Sequence, residues 1–191
     1  MGKRRIDIVV IGCSAGGLNA LQVLFKGFLR PLPVIVVVVC HSGSEVMDTF
    51  CDLLRRHAPM PVQEAEERTC PNPGQVYVAP AGYHLLFERD GRFALNVDER
   101  VEYSRPSIDV LFESAADVWG DRLVGVILTG ANADGAHGLR CIRERGGISL
   151  VEDPASATVS TMPLAALEMA GADECLPLSG LAPLLESLCR Q

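Results

Sequence analysis

Short runs of Val, Ile and Leu alternate along this chain with stretches in which apolar residues recur every three or four positions, and that alternation predicts strands and helices taken in turn. Ile6 to Ile11, interrupted by Asp7, and Val34 to Cys40 are apolar runs rich in β-branched residues, the pattern of strands covered on both faces, and Leu123 to Leu128 is a third. A Gly-rich turn, Gly12 to Gly17, leads from the first run into a helix reaching about Leu29, where Pro31 and Pro33 prevent continuation. Past a polar turn, Val46 to His57 predicts a second helix, ended by Pro59 and Pro61. Gln75 to Ala79 is a short strand. Tyr83 to Glu88 and Phe93 to Val97 flank Asp90-Gly91, a hairpin signal, and are expected as an antiparallel excursion at one edge. Ser107 is placed to cap a helix from Ile108 to Trp119, whose Ile108, Leu111, Phe112, Ala115 and Trp119 share one face. After the turn Thr129 to Gly135 come a helix ending near Gly146-Gly147, a strand Ile148 to Val151, a helix around Leu164 to Met169, a strand Glu174 to Leu176 and a helix from Ser179. Strands alternating with helices in this way predict an α/β fold: three layers, doubly wound, with a mostly parallel sheet and an antiparallel hairpin excursion. No repeat or linker interrupts it, so one domain over residues 1–191 is expected.

Composition narrows the partners. A net charge of -7 argues against a nucleic-acid or anionic-membrane surface, which need Lys and Arg in excess. The longest apolar run, Val34 to Cys40, is far shorter than the roughly 18 residues a membrane span requires. The basic start and first apolar run imitate a secretory signal, but Asp7, Gly12 and Ser14 cut it short, and Ile6 stands where a myristoylation motif wants Ser or Thr. The expected location is the cytoplasm, without membrane insertion. Seven cysteines, an odd number with no C-x-x-C pair, read as free reduced thiols, with Cys13 and Cys40 the only ones whose position invites reactivity.

In an open parallel sheet the ligand site lies beyond the carboxyl ends of the strands. Three such ends carry chemistry. Gly12-Cys13-Ser14-Ala15-Gly16 is a G-x-S-x-G on a tight strand-to-helix turn, where Ser14 would be exposed and the following helix would aim its free N–H groups at the same point. The same residues also fit a phosphate-binding turn, since Gly12, Ser14 and Gly17 resemble a G-x-G-x-x-G, or a purely structural turn. The dinucleotide pattern, however, wants a carboxylate at the second strand end, where this chain has Cys40-His41 and no acid before Glu45. His41 follows Ser14 by one helix-plus-strand step, so it is expected at the same sheet edge, where a neutral imidazole can take a hydroxyl proton and return it to a leaving alcohol. Asp134, in the turn after the third long strand, fits the carboxylate that fixes the imidazole tautomer, and it fits an Asp-Gly turn or helix cap as well. Asp109, inside a helix, is the weaker alternative. His57, His84 and His137 are not clustered in any H-E-x-x-H-like pattern, so neither a metal nor a cofactor is expected.

With these residues in place, the chain resembles the CheB methylesterase domain of bacterial chemotaxis and related signalling. Val10 to Gly17 is similar to that family's nucleophile turn, and the strand ending in His41 to its second-strand histidine. Val76-Tyr77-Val78-Ala79-Pro80, Arg105 to Phe112, Leu128-Thr129-Gly130 with Asp134-Gly135, and Glu152 to Ser156 ahead of Met162-Pro163 follow in the family's order. The resemblance implies a serine hydrolase cleaving γ-glutamyl methyl esters on receptor-type proteins to glutamate and methanol, with glutamine deamidation in some members. It assigns the triad to Ser14, His41 and Asp134. Ala131, Asn132 and Ala15 stand where chemotaxis members usually carry Met, Gly and Thr, which bears on the pocket and its substrate. Only Met1 to Arg5 precede the first strand, so the expectation is a stand-alone member without the receiver domain, acting on a methylated chemoreceptor-like protein and answering to a separate regulator if to any. A small-molecule esterase, and a nucleotide-binding or catalytically silent module on the same fold, are the alternatives.

Overall fold

The computed structural model describes residues 5–41 and 47–190, the side chains of Met47 and Asp48 excepted. The elements are β1 (Ile8–Cys13), α1 (Gly17–Lys26), β2 (Ile35–Cys40), α2 (Met47–Arg55), β3 (Val62–Glu64), β4 (Val76–Val78), β5 (His84–Phe87), β6 (Phe93–Asn96), α3 (Ile108–Trp119), β7 (Leu123–Ile127), α4 (Ala136–Glu144), β8 (Ile148–Glu152), α5 (Thr161–Met169), β9 (Glu174–Leu176) and α6 (Leu178–Cys189). Seven strands form one parallel sheet in the order β3-β4-β2-β1-β7-β8-β9. Because side chains alternate across a strand, β1 feeds both faces. Val9, Ile11 and Cys13 join Leu21, Leu24 and Phe25 of α1 and Leu181 and Leu185 of α6 in one core. Ile8 and Val10 join Ile108, Leu111 and Phe112 of α3, Leu139 of α4 and Met162 of α5 in the other. The result is the three-layer, doubly wound α/β fold.

The chain leaves β1 through α1 toward β2 on one side and returns to β7 on the other, so the strand order reverses at β1. That reversal opens a crevice at the carboxyl ends of β1, β2 and β7. Gly12 keeps the crevice tight. A Cβ there would lie 2.4 Å from Cγ2 of Ile108, so only a glycine lets the start of α3 pack directly on the end of β1.

Two departures from the sequence pattern have simple causes. The hairpin β5–β6 is a separate two-stranded sheet and is not hydrogen-bonded to an edge of the main sheet. Phe87 and Phe93 turn inward against Tyr77 and Trp119, so side-chain packing, not a shared ladder, docks it. The three-residue β3 was not anticipated, because Val62-Gln63-Glu64 contains a single apolar residue and owes its conformation to pairing with β4. The polar turn after His41 and Val46, the expected first residue of α2, lie outside the described residues.

Candidate active site

Ser14 follows β1 directly and is partly exposed. Its N–H donates to the Thr129 carbonyl at 2.9 Å, and its own carbonyl accepts the Gly17 N–H at 2.8 Å, so the turn is fastened to β7 on one side and to α1 on the other. Gly16 precedes α1 with φ 79°, a left-handed conformation that side chains resist, and a Cβ there would lie 2.8 Å from Cβ of Thr158. The amides of Ala15 and Gly16 donate to no other described residue. Together with the first turn of α1 they form a donor-rich, electropositive end beside the Ser14 hydroxyl.

His41 follows β2 on the strand adjacent to β1, and its N–H donates to the Cys13 carbonyl at 3.1 Å. Its Nε2 lies 2.7 Å from Oδ2 of Asp134. Asp134, fully buried, also accepts from Ser107 Oγ at 2.8 Å, the Ile108 N–H at 2.7 Å and the Asp109 N–H at 3.0 Å. A carboxylate has no donor of its own and can accept all four bonds, which assigns the proton to His41 Nε2 and leaves Nδ1 as an acceptor. Three of the four donors belong to the start of α3, so that helix end holds Asp134 in place.

Asp109 is not part of this acceptor chain. It lies in the first turn of α3, and its Oδ1 accepts the Gly135 and Gly138 N–H groups at 2.9 and 2.7 Å, capping α4. The two helices are thus cross-capped: Asp134, just before α4, holds the start of α3, and Asp109 of α3 holds the start of α4. Burial raises the Asp109 carboxyl from 3.8 to about 6, with the Asp134 charge adding to the effect and the two glycine N–H groups opposing it.

The free nitrogen of His41, Nδ1, has a neighbour the sequence reading did not single out. Ser104 Oγ sits 3.3 Å from it, and the same hydroxyl is within 3.4 Å of the Glu102 carbonyl and of Asn132 Nδ2. Ser14 Oγ is hydrogen-bonded to none of the described residues. His41 lines two clefts. One, of about 430 Å3, is bounded by Ser14, Gly16, Leu18, Gln22 and Phe50. The other, of about 210 Å3, is bounded by Arg100, Tyr103, Ser104 and Arg105.

Three more residues escaped the sequence reading because their roles depend on tertiary contacts. His84 is buried, and its Nδ1 accepts the Ser107 N–H at 3.1 Å while its other nitrogen faces the Glu99 carbonyl at 3.0 Å, which fixes the start of α3. Glu152, buried at the end of β8, accepts the Thr129 N–H at 2.8 Å. Burial raises its carboxyl above the usual range, and that hydrogen bond opposes the rise. Thr129 Oγ1 donates to the Ala15 carbonyl at 2.8 Å and so ties the Ser14 turn to β7. The position of these polar groups at strand ends was the available signal. Cys13 and Cys40 are buried, and the hydrogen bond from Cys40, then burial, push the Cys13 thiol well above its ordinary range, which makes Cys13 a packing residue instead of a nucleophile. Cys13, Cys40, Cys70, Cys141, Cys175 and Cys189 form no disulfide.

No helix among the described residues is long and apolar enough to cross a membrane. Residues 9–185 match the family model described as CheB methylesterase. A chain of Leptospira interrogans serovar copenhageni, named provisionally a protein-glutamate methylesterase/protein-glutamine glutaminase, is 44% identical over 178 residues, 93% of this chain and 92% of that one. Protein-glutamate methylesterase/protein-glutamine glutaminase 2 of Pseudomonas syringae pv. syringae is 40% identical over 183 residues, and this chain spans about half of its length, 54%. The crystal structure of the Thermotoga maritima CheB methylesterase catalytic domain superposes with a TM-score of 0.91 at 31% identity, covering 96% of this chain and 98% of that one. The chain belongs to the CheB methylesterase family.

Proposed function

We propose that this chain, folded as one domain, is a serine hydrolase that removes methyl groups from γ-glutamyl methyl esters on a methylated chemoreceptor-like protein in the cytoplasm. Ser14 is the nucleophile, His41 the general base and acid, and Asp134 the group that orients His41. The observation that carries this reading is the 2.7 Å bond from His41 Nε2 to a carboxylate that three other donors hold in place, because it presents Nδ1 as a base at the sheet end where Ser14 is partly exposed.

In the forward step Ser14 Oγ attacks the ester carbonyl while Nδ1 takes its proton, and the charge on the tetrahedral oxygen falls beside the amides of the Ala15–Gly16 turn and the start of α1. The imidazolium, stabilised by Asp134, then gives its proton to the departing methoxide, and methanol leaves. A water deprotonated by His41 attacks the glutamyl-Ser14 ester, and collapse of that intermediate releases the glutamate side chain. With a glutamine substrate the same steps release ammonia, which is the deamidase activity named for the relatives. Methanol release from a methylated receptor fragment tests this. Release within minutes at micromolar enzyme supports it. Turnover of small-molecule esters alone would move the assignment to a small-ester hydrolase, and nucleotide binding without hydrolysis would move it to a binding module.

A further inference from the structure

The face shared by α3 and α4 carries three metal-ligating side chains that the proposed hydrolysis does not use. Glu113 lies one turn after Asp109 on α3, and His137 and Cys141, four residues apart, share one face of α4. Their donor atoms all lie within 4.8 Å of one another. His137 Nδ1 is 2.7 Å from Glu113 Oε1 and 3.9 Å from Cys141 Sγ. Glu113 and His137 are half-exposed, so a hydrated ion can reach them.

We propose that Glu113, His137 and Cys141 form a binding site for a zinc-like divalent transition metal that bolts α3 to α4. A thiolate, an imidazole and one carboxylate are the donor set that borderline-soft ions select over magnesium or calcium, with water completing the tetrahedron. The spacing fits once the Glu113 side chain shifts. At bond lengths of about 2.05 Å to nitrogen and 2.3 Å to sulfur, the N–S separation of 3.9 Å subtends roughly 130°. The Glu113 oxygen has to withdraw from the imidazole by about 0.7 Å and come to roughly 3.6 Å from the Cys141 sulfur, an adjustment open to a half-exposed side chain. Binding exchanges the His137–Glu113 hydrogen bond for two metal bonds, and the Cys141 thiol gives up its proton to solvent. The surrounding charge favours a cation: the carboxylates of Glu113, Glu144 and Asp109 face Cys141 against the opposing charge of Arg140, so an ion arriving there meets a negative field. The three donors come from two helices, which is why no sequence motif announces them. The site lies next to the cross-capping by Asp109, whose Gly138 contact is adjacent to His137.

The test is titration of the purified chain, stripped with a chelator, with zinc alone against a chromophoric competitor, and with cobalt(II) followed by absorption. The expected result is one saturable equivalent of zinc and a thiolate-to-cobalt charge-transfer band. The unfolding midpoint should rise by roughly 5–10 °C at about 100 times the dissociation constant. Affinity should fall at least about tenfold in each of Glu113→Gln, His137→Ala and Cys141→Ser, with circular dichroism showing the variants folded. Absence of a saturable equivalent, a cobalt spectrum without the thiolate band, or unchanged affinity in any of the three variants would overturn the site. In the last case the exposed Cys70 and Cys175 are where the metal would be sought.

Discussion

Asp134 and Asp109 are neighbouring buried carboxylates, yet replacing each by Asn should have opposite consequences. Asp134 accepts on both oxygens: Ser107 Oγ and the Asp109 N–H on Oδ1, His41 Nε2 and the Ile108 N–H on Oδ2. Asn has one acceptor oxygen and one NH2. With the oxygen toward Asp109, the amide nitrogen confronts the Ile108 N–H and forces His41 into the wrong tautomer. With the oxygen toward Ile108, it confronts the Asp109 N–H instead. Either way one buried N–H is left unsatisfied, at a cost of about 1–3 kcal/mol, and α3 loses a favourable charge worth up to about 1 kcal/mol. Turnover should fall by on the order of 10^3–10^4 through loss of imidazole orientation. In Asp109→Asn, by contrast, the bonded Oδ1 is retained and the NH2 replaces an oxygen with no hydrogen bond, so both α4 capping bonds survive and the cost of a buried charge disappears. Activity should stay within about threefold and stability at pH 8 should be unchanged or higher. Urea unfolding and methanol release on the two variants decide the matter. A stable, active Asp134→Asn protein, or an Asp109→Asn protein that loses more than about 2 kcal/mol, would refute the reasoning.

Further predictions follow from the same contacts. Because the folded-state pKa of Asp109 is raised from 3.8 to about 6, its contribution to stability is fully present below the lower value and is lost as pH rises through the upper one. The urea stability of wild type minus that of Asp109→Asn should therefore decline between pH 4 and pH 7, by at most about 3 kcal/mol, and a difference independent of pH would contradict the shift. Ser104→Ala removes the hydroxyl 3.3 Å from Nδ1, so with Ser14 as the proposed nucleophile kcat/KM should hold within about threefold or rise, and a loss beyond about tenfold would make Ser104 a required partner of the base. Gly16→Ala forces a side chain into a left-handed turn and against Thr158. It should cost at least about 1–2 kcal/mol in thermal or urea unfolding and disturb the Ser14 turn, whereas full stability would show that the turn is not held as described.

The fold was legible to the extent that apolar runs define it. β1, β2 and β7 are buried on both faces, so burial alone writes Val and Ile along their length, and α3 announces itself through its capping Ser107, whose Oγ accepts the Val110 N–H at 3.4 Å. β3 was not legible because its conformation comes from its neighbour, and the docking of the hairpin was not, because aromatic packing leaves no trace in local pattern. At the site, Ser14, His41 and Asp134 could be chosen from topology, since all three follow strands of the crevice. The second hydroxyl at His41 could not. Ser104 is 63 residues away in sequence, in a loop without periodicity, and only the folded chain brings it to Nδ1. The role of Asp109 was half visible: its helical position demoted it as a partner of His41, but its capping of α4 depends on how two helices cross.

The proposed hydrolysis depends on Ser14 as the nucleophile. The direct measurement is mass spectrometry of the Ser14 peptide after reaction with a fluorophosphonate, with methanol release from a methylated receptor fragment followed in parallel. The expected result is one adduct per chain on Ser14, activity lost in step with labelling, and Ser14→Ala reduced by several orders of magnitude. An unmodified Ser14 in fully inhibited protein, or Ser14→Ala activity within about tenfold of wild type, would contradict it.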